Sequence, residues 1–595
     1  TPAPRPSGAG RAYNKGNNMI FKPTFEGGGV PLGEYPRPQF RRDSYLPLNG
    51  EWEYAITKSS VPPKEYDGHI VVPYSPESAL SGVGRQLKSD EFMHYCRTFA
   101  LPEGFNRGRV IINFGACDQI CTVFCNGAEI GRHEGGYLPF SFDITEHLKD
   151  GPNQLTVVVT DDASSDVYGR GKQSYKRGGI WYTAISGIWQ SVWLESVPPV
   201  FLDGLKLVPD YESKTLCITS PPGAGVGHIH PPKTRAKQIN PPPRGAAGGE
   251  VCTLNVSTCK PWSPDSPELY RVVIECGTDR VESYFGLRSF SRQQRSGRQY
   301  FILNGKPVFQ SGLLDQGYWG EGIYTPASNR EMFDCLVKVK ALGFNMLRKH
   351  IKIEPMLWYY YCDILGLLVW QDMVNGGEKY HLLRLALGPF LNLHLDDTNY
   401  KKMGRGNARS RRQYRIEAAG TVGALYNCVC ICQWTLFNEG WGQFDSLKIC
   451  EQMRALDGTR LYDHSSGWQD MGGGDFCSRH VYFRKVKLKN DGVRILALTE
   501  FGGYSFKNGE GRRVFSYKHF ANRQKFMAAL KGLYLNEVVP AIREQALCAA
   551  VYTQLSDVED EVNGIFTPDW QCKVDGDEMR AINSALYAAF EQSLI

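Results

Sequence analysis

The chain has 595 residues, of which 42% are hydrophobic, and a formal net charge of +6. That length exceeds what one hydrophobic core can organise, so three or more domains are expected, and the composition excludes a disordered chain. Lys and Arg alternate with acids, so no basic stripe argues for nucleic acid. The longest apolar runs, such as Ile364–Trp370, fall far short of the ~20 residues of a membrane span.

The first residue is Thr1, so a signal peptide is not assessable. The 17 cysteines are an odd number. Cys117, Cys121 and Cys125, then Cys428, Cys430 and Cys432, sit inside strand-like runs. The spacing of the last three puts them on one strand face, where thiols act as small hydrophobes. No C-x-x-C pair or histidine at ligand spacing accompanies them, so zinc is not expected there; no acidic cluster stands out as a metal cage, and no metal and no cofactor is expected. Buried thiols lean towards a reducing compartment, whereas the Asn-x-Ser sequon at Asn255 leans the other way.

Residues 1–35 are rich in Gly, Pro, Arg and Asn without periodicity, and read as a flexible leader or a peripheral strap. Residues 36–198 hold short strands and turns, with a hairpin signal at Asn126-Gly127, and predict a jelly-roll β-sandwich. Residues 199–290 predict a small, shortened immunoglobulin-like β-sandwich. It is broken by a Pro/Gly-rich insert at 221–249 that reads as an exposed loop.

After residue 291 strands and helices alternate. A capping box at Ser328 and Glu331 opens a helix with Phe333, Leu336, Val337 and Leu342 on one face. Strand-like runs at "KPVFQSGLL", "FNMLRKH", "LGLLVWQDM", "CICQWTLFNE", "TRLYDHS", "SRHVYF", "RILALTEFG" and "CAAVYTQLSD" make eight. Eight strands with intervening helices predict a (β/α)8 TIM barrel over 291–595.

Two apolar runs end on carboxylates: Glu439, in "QWTLFNEGWGQFD", and Glu500, in "RILALTEFGGY". A buried, unpaired charge is costly, and barrel chemistry sits at the carboxyl ends of strands. Arg348, His350, Asp372, Asp463, His464, His480, Tyr482 and Asp557 end their runs similarly, and one ring around the mouth is expected. Two facing glutamates suit glycosidic bond cleavage, one protonated to donate to the leaving oxygen, the other ionised to attack the anomeric carbon. Trp319, Trp434, Trp441 and Trp468 offer faces for sugar stacking. The plain alternative makes each glutamate a salt-bridged strand-end residue. "WYYYCDILG" at 358–366 reads as core and barrel wall.

At these residues the chain resembles glycoside hydrolase family 2, the β-galactosidases, β-glucuronidases and β-mannosidases. The likeness runs from about residue 36 to the end. It rests on "YPRPQF…LNGEWEYAI", "VPYSPESALSGVGR", "HEGGYLPFSFDIT" and "GGIWYTAISGIWQSVWLE", then "NMLRKHIKIEP", "GLLVWQDM", "FNEGWGQFD", "TEFGGY" and "VYTQLSDVEDEVNGIFTPD". The resemblance implies retaining hydrolysis with Glu439 as general acid/base and Glu500 as nucleophile. It implies Asn438 at the sugar 2-hydroxyl, Arg348 orienting Glu500, and Tyr482 beside it. His350, Asp315, Asp372, His480 and Trp468 follow as wall residues. Asn427-Cys428-Val429 departs from the usual Asn-His-Pro, and Val481 stands where Asn is common. No Asn-x-Lys element of the kind that reads a uronic carboxylate is found after Glu500, which disfavours a glucuronidase.

An exo-β-glycosidase of galactoside type with a carbohydrate substrate is therefore expected. The competing expectation is a catalytically idle family member serving as a carbohydrate-binding or structural subunit. Nucleic-acid and membrane partners are not expected, and a homo-oligomer or a larger complex stays open.

Overall fold

The structure is a computed structural model that describes residues 23, 25, 29–220, 251–379, 395–506 and 515–595. The 221–249 insert and residues 1–22 of the expected leader lie outside the described residues.

The amino-terminal part is two antiparallel sheets face to face. A six-stranded sheet runs Gly68–Val72, Gly50–Thr57, Phe92–Phe99, Asn153–Thr160, Ile120–Cys125, Ala128–Glu134; a four-stranded sheet runs Tyr45–Pro47, Val192–Val197, Arg109–Phe114, Phe140–Asp143. Alternate residues such as Trp52, Tyr95, Val123 and Val157 meet Ile112, Phe114 and Leu194 between the sheets, as the two-residue period of a half-buried strand requires. The Asn126-Gly127 turn closes its hairpin with positive φ at both residues (52° and 86°), the backbone that Asn-Gly supplies at low cost.

The segment 29–35 is not a flexible leader. Leu32 is buried, Tyr35 donates to Glu195 Oε1 at 2.7 Å, and Asn49 Nδ2 donates to the Pro31 carbonyl at 2.9 Å. It straps the sheets.

A smaller β unit follows, a three-stranded sheet (Lys206–Asp210, Thr215–Thr219, Val251–Asn255) and a hairpin (Tyr270–Cys276 with Asp279–Phe285) around Leu207, Ile218, Val272, Ile274 and Phe285. Asn427 ties this unit to the rest: its Oδ1 accepts from Leu207 N at 2.8 Å, and its Nδ2 donates to the Leu205 carbonyl at 2.7 Å. The Asn-Cys-Val departure thus sits at a joint between units.

The remaining chain forms a near-closed parallel sheet of β1 (Gln310–Asp315), β2 (Met346–Lys349), β3 (Leu368–Asp372), β4 (Ile431–Thr435), β5 (Leu461–Asp463), β6 (Phe476–Val481), β7 (Ile495–Gly502) and β8 (Ala549–Thr553). Pairing is parallel and continuous from β6 through β7, β8, β1, β2, β3 and β4 to β5. Between β5 and β6 the contact is local, with Asp475 N donating to the Tyr462 carbonyl at 2.7 Å.

Helices follow most strands. The first, Asn329–Ala341, is capped by Ser328, whose side chain accepts from Glu331 N. It buries Met332, Cys335, Leu336 and Val339; the expected Phe333 and Val337 are only half buried, since the inward stripe lies one residue off the one anticipated. The aromatic run forms helix Met356–Leu365 and is buried throughout Leu357–Asp363. The expected alternation fails twice: 464–475, after β5, and 482–494, after β6, hold no helix. Gly467, Gly472, Gly473 and Gly474 crowd the first connection, and Lys and Arg without apolar periodicity fill the second, so neither can bury a helical stripe.

All 17 cysteines are free thiols; only Cys572 is exposed. Of the Cys428–Cys430–Cys432 set only Cys432 lies in a strand, the other two preceding β4. Among the described residues no helix is long and apolar enough to cross a membrane.

Candidate active site

The site forms where β2, β3, β4, β6 and β7 end. Glu500 lies within β7 and its side chain is 5% exposed. Glu439 lies past the end of β4, in the loop, with φ 54° and a 17% exposed side chain. A left-handed backbone at a non-glycine residue is strained and persists only where its surroundings hold it. Here Glu439 N donates to the Ser466 carbonyl at 2.9 Å, and Trp441 N closes onto the Asn438 carbonyl at 3.0 Å. Gly440 and Gly442 continue at positive φ, 70° and 61°. The glycines behind Glu439 therefore let the chain fold back and present the carboxylate.

Arg348 organises the other carboxylate. Its Nη1 donates to Glu500 Oε1 at 3.0 Å and to the Thr499 carbonyl at 3.2 Å. Its Nε donates to Asp372 Oδ1 at 3.1 Å, and its Nη2 to Asn438 Oδ1 at 2.9 Å. Tyr482 donates its hydroxyl to Glu500 Oε2 and stacks on Tyr517 with ring centres 3.8 Å apart. Burial alone would raise the Glu500 pKa, but His480, Arg348, His350 and Lys172 outweigh it and hold the carboxyl down at about 2. Burial and the neighbouring Glu500 push the Tyr482 phenol far up, so it stays a donor.

His480 bridges the two acids, with Nδ1 2.8 Å from Glu439 Oε1 and Nε2 3.5 Å from Glu500 Oε1. Ser466 Oγ lies 3.1 Å from Nε2, and Trp468 packs edge-on at 5.4 Å. His350 Nδ1 sits 2.8 Å from Asp372 Oδ2, while its buried Nε2 has no partner among the described residues. Burial, with Lys172 adding to it, lowers the His350 pKa. The Trp468 Nε1 and both amide atoms of Asn375 are likewise buried and, among the described residues, unpartnered. A buried polar atom left unsatisfied costs ~1–3 kcal/mol, so a polar ligand that reached such a group would gain a bond.

The structure thus brings Glu439, Glu500, Asn438, Arg348, Asp372, His350, His480, Tyr482 and Trp468 together. Asp315 stands apart, its carboxylate taken by Lys349 Nζ at 2.6 Å. Lys349 in turn lies 4.2 Å from the Trp358 ring on the helix side of the barrel, so Asp315, in register with it, faces away from the mouth. Asp557 pairs with Lys573 at 2.7 Å, and His464 Nε2 accepts from Met471 N at 3.0 Å. Trp434 is fully buried with Nε1 on Asp457 Oδ2 at 2.9 Å; Trp319 packs on Trp570 and Trp441 on Trp181. Trp468 packs against His480, which bridges the acids. Val481 is buried in the core. Lys172, Asn375, Tyr517, Glu561 and Asn563 lie outside the residues expected from the sequence, although "VYTQLSDVEDEVNGIFTPD" contains the last two.

Ligand atoms of Glu439, His480 and Glu500 all lie within 4.8 Å of one another, the one group with metal-ligand spacing among the described residues. Arg348 and Tyr482 already occupy both Glu500 oxygens, which makes the trio a poor cation cage.

Residues 86–198 match the family model described as "Glycosyl hydrolases family 2, sugar binding domain", and residues 228–288 match "Glycosyl hydrolases family 2". These matches support glycoside hydrolase family 2 as the family of this chain. Among curated relatives, a β-galactosidase of Thermoanaerobacter pseudethanolicus is 24% identical over 337 residues, covering 53% of this chain and 42% of that protein. A β-glucuronidase of Formosa agariphila is 24% identical over 265 residues, covering 38% and 25%. The chain thus spans well under half the length of these relatives. The crystal structure of a family 2 β-galacturonidase from Eisenbergiella tayi bound to galacturonate superposes with a TM-score of 0.69 at 17% identity, covering 92% of this chain and 99% of that one. That likeness establishes the shared fold.

Proposed function

We infer that the protein is a retaining exo-β-glycosidase acting on terminal β-glycosides, with galactoside-type substrates favoured. The observation that carries this reading is the separation of the two acids: an oxygen of Glu439 and an oxygen of Glu500 lie within 4.8 Å. Retaining enzymes hold their carboxyls about 5–5.5 Å apart, and inverting ones about 6.5–9.5 Å apart, to leave room for water.

Glu500 remains ionised at neutral pH, with Arg348 and Tyr482 fixing its oxygens, and so suits attack on the anomeric carbon. As the bond from C1 to Glu500 forms, the bond to the aglycone oxygen breaks. Its electron pair takes a proton from Glu439. Water then attacks C1, gives its proton back to Glu439 and releases Glu500. Glu439 is the more exposed of the two, as a group that meets leaving group and water in turn needs to be. Asn438 gives Oδ1 to Arg348, which leaves its amide NH2 for the 2-hydroxyl.

In this reading the paired amino-terminal sheets are the jelly-roll unit of 36–198, the short β unit of 199–290 is immunoglobulin-like, and 291–595 is a TIM barrel with two crossovers reduced to loops. Retention of both acids and of Arg348 speaks against an idle subunit.

The test is turnover across aryl β-galactoside, β-glucoside, β-mannoside and β-glucuronide, with a 2-fluoro sugar to trap the intermediate. A mass adduct on Glu500 and a first-formed product of retained configuration are expected. Folded protein without turnover on the whole panel would overturn the reading.

A further inference from the structure

The connection after β6, residues 482–494, begins at the nucleophile and runs out to solvent. The Tyr482 hydroxyl donates to Glu500, the Tyr482 ring stacks on Tyr517 with centres 3.8 Å apart, and Phe483 meets Tyr517 edge-on at 5.4 Å. Glu500 is buried, Tyr482 half-buried and Phe483 72% exposed. Three adjoining rings thus lead from the reacting carboxylate to the surface. A single exposed apolar side chain is ordinary. One joined to a nucleophile through stacked rings is a platform on which a sugar beyond the scissile bond can lie.

The segment behind Phe483 is basic. Arg484, Lys485, Lys487 and Lys489 are all exposed, and no acid occurs between residues 483 and 489. Among the described residues none of the four makes an ion pair. The acids that touch this connection are engaged: Asp491 Oδ2 accepts from Arg494 Nε at 2.7 Å, and Glu537 Oε2 accepts from Val486 N at 2.7 Å. The Glu537 bond fixes the ribbon, as do Asn490 Nδ2 on the Gln545 carbonyl at 2.6 Å and the packing of Val486 and Leu488 on the core. From Phe483 to Lys489 the chain can span up to ~20 Å, enough to serve more than one sugar unit. Four like charges held on such a ribbon sum into a field that draws anions and that salt screens.

Elsewhere the mouth is covered by the amino-terminal unit. The backbone N–H groups of Arg170 and Gly171 both donate to the Asn375 carbonyl at 2.9 Å, Arg170 Nη1 donates to the Gly377 carbonyl at 2.8 Å, and Arg170 and Asn375 are buried. A glycan whose terminal sugar reaches Glu500 would therefore carry its remaining units out past Phe483.

We propose that Phe483, Arg484, Lys485, Lys487 and Lys489 form an aglycone-side site for an acidic glycan. The unit next to the scissile bond lies on the Phe483 ring, and sulfate or carboxylate groups on that unit and those after it meet the cations. The inference rests on the glycosidase reading and names its leaving group: a terminal β-glycoside is cut from an anionic carbohydrate chain.

The experiment uses the preferred terminal sugar of the panel linked to a neutral hexose, to the same hexose bearing an O-sulfate, and to the matching hexuronic acid. Wild type should favour at least one acidic substrate over the neutral one by on the order of tenfold in kcat/KM at low ionic strength, and lose that preference in 0.5 M salt. Which of the two is preferred separates sulfate from carboxylate recognition. In the triple variant Lys485→Gln, Lys487→Gln, Lys489→Gln the acidic-to-neutral ratio should fall to about one, with an unchanged melting temperature. Phe483→Ala should lose about 3–10-fold on all three disaccharides alike. A wild-type ratio near one, or a ratio that survives the triple substitution, would overturn the site while leaving the glycosidase reading intact. Direct binding of a sulfated oligosaccharide, measured by calorimetry, separates the two readings. Salt-sensitive binding that the triple variant loses, in a protein that cleaves nothing, would support the site and overturn the glycosidase. Lysine-dependent binding to phosphatidylglycerol vesicles with none to the oligosaccharide would overturn the glycan assignment.

Discussion

Two sides of one pocket differ in how much of their bonding capacity the protein itself uses. Around Glu500, Arg348 places its three nitrogens on Glu500, Asp372, Asn438 and Thr499, and Tyr482 takes the remaining carboxylate oxygen. Elsewhere, His350 Nε2, Trp468 Nε1, Asn563 Oδ1 and the whole Asn375 amide are buried and, among the described residues, unpartnered. The first arrangement fixes a reactive group in one geometry before substrate arrives, which is how preorganised electrostatics act. The second leaves groups whose bonding is completed only by something that enters. On the proposed reading, reactivity and recognition are thus built on opposite principles.

The largest effects should come from the saturated side. Glu500→Gln should lower kcat by about 10⁴-fold or more. Glu439→Gln should lower it by about 10²–10⁴-fold on a poor leaving group and far less on an activated aryl glycoside, which needs no acid. Equal losses on both substrates would deny Glu439 its role. Next, Arg348→Met should cost about 3–5 kcal/mol in stability, because it strands buried carboxylates. It should also raise the Glu500 pKa from about 2, so the acid limb of kcat/KM, steep only at very low pH for this group in wild type, moves up. Denaturant melts and a pH–rate profile measure both; an unshifted limb would show that Arg348 does not set the nucleophile's charge.

A buried polar group with no role in the chemistry sharpens the contrast. Asp118, in the amino-terminal sheets, accepts only from Gln173 Nε2, and burial pushes its pKa up to about 7. Its folded value lies above its unfolded one, so its contribution is fully present below about pH 4 and is lost as pH rises through about 7. Asp118→Asn should therefore stabilise the protein at pH 8 by on the order of 2 kcal/mol, with no gain at pH 4. A gain that does not vary with pH would refute the linkage. The smallest effect belongs to the unfilled side: Asn375→Ala removes no bond of the free protein's side chain, so stability should hold within about 1 kcal/mol while KM rises about tenfold. A large loss of stability there would mean that Asn375 is structural.

Much of this site was legible because an apolar strand ending in a charge is costly unless the charge has work at the mouth. That logic led to Glu439, Glu500, Arg348, His350, Asp372, His480 and Tyr482. It failed where parity mattered. Asp315 and Trp434 also occupy strand ends, but they fall on the alternate face, against Lys349 and Asp457, because one residue along a strand reverses the side. Without a register the two faces cannot be told apart. Lys172 and Asn375 were missed for another reason: they sit in irregular loops with no period, and only long-range docking carries them to the barrel. The absent helices after β5 and β6 were visible as a glycine cluster and a basic run, signals that the regularity of the other crossovers overrode.

The clamp of Arg170 and Gly171 on Asn375 has an evolutionary corollary. A hybrid that exchanged the amino-terminal sheets between related chains would keep its pair of glutamates and acquire a different loop over the opening. Recognition beside Asn375 should travel with the front of such a chimera; bond-breaking power and the bias for acidic chains should stay with the back.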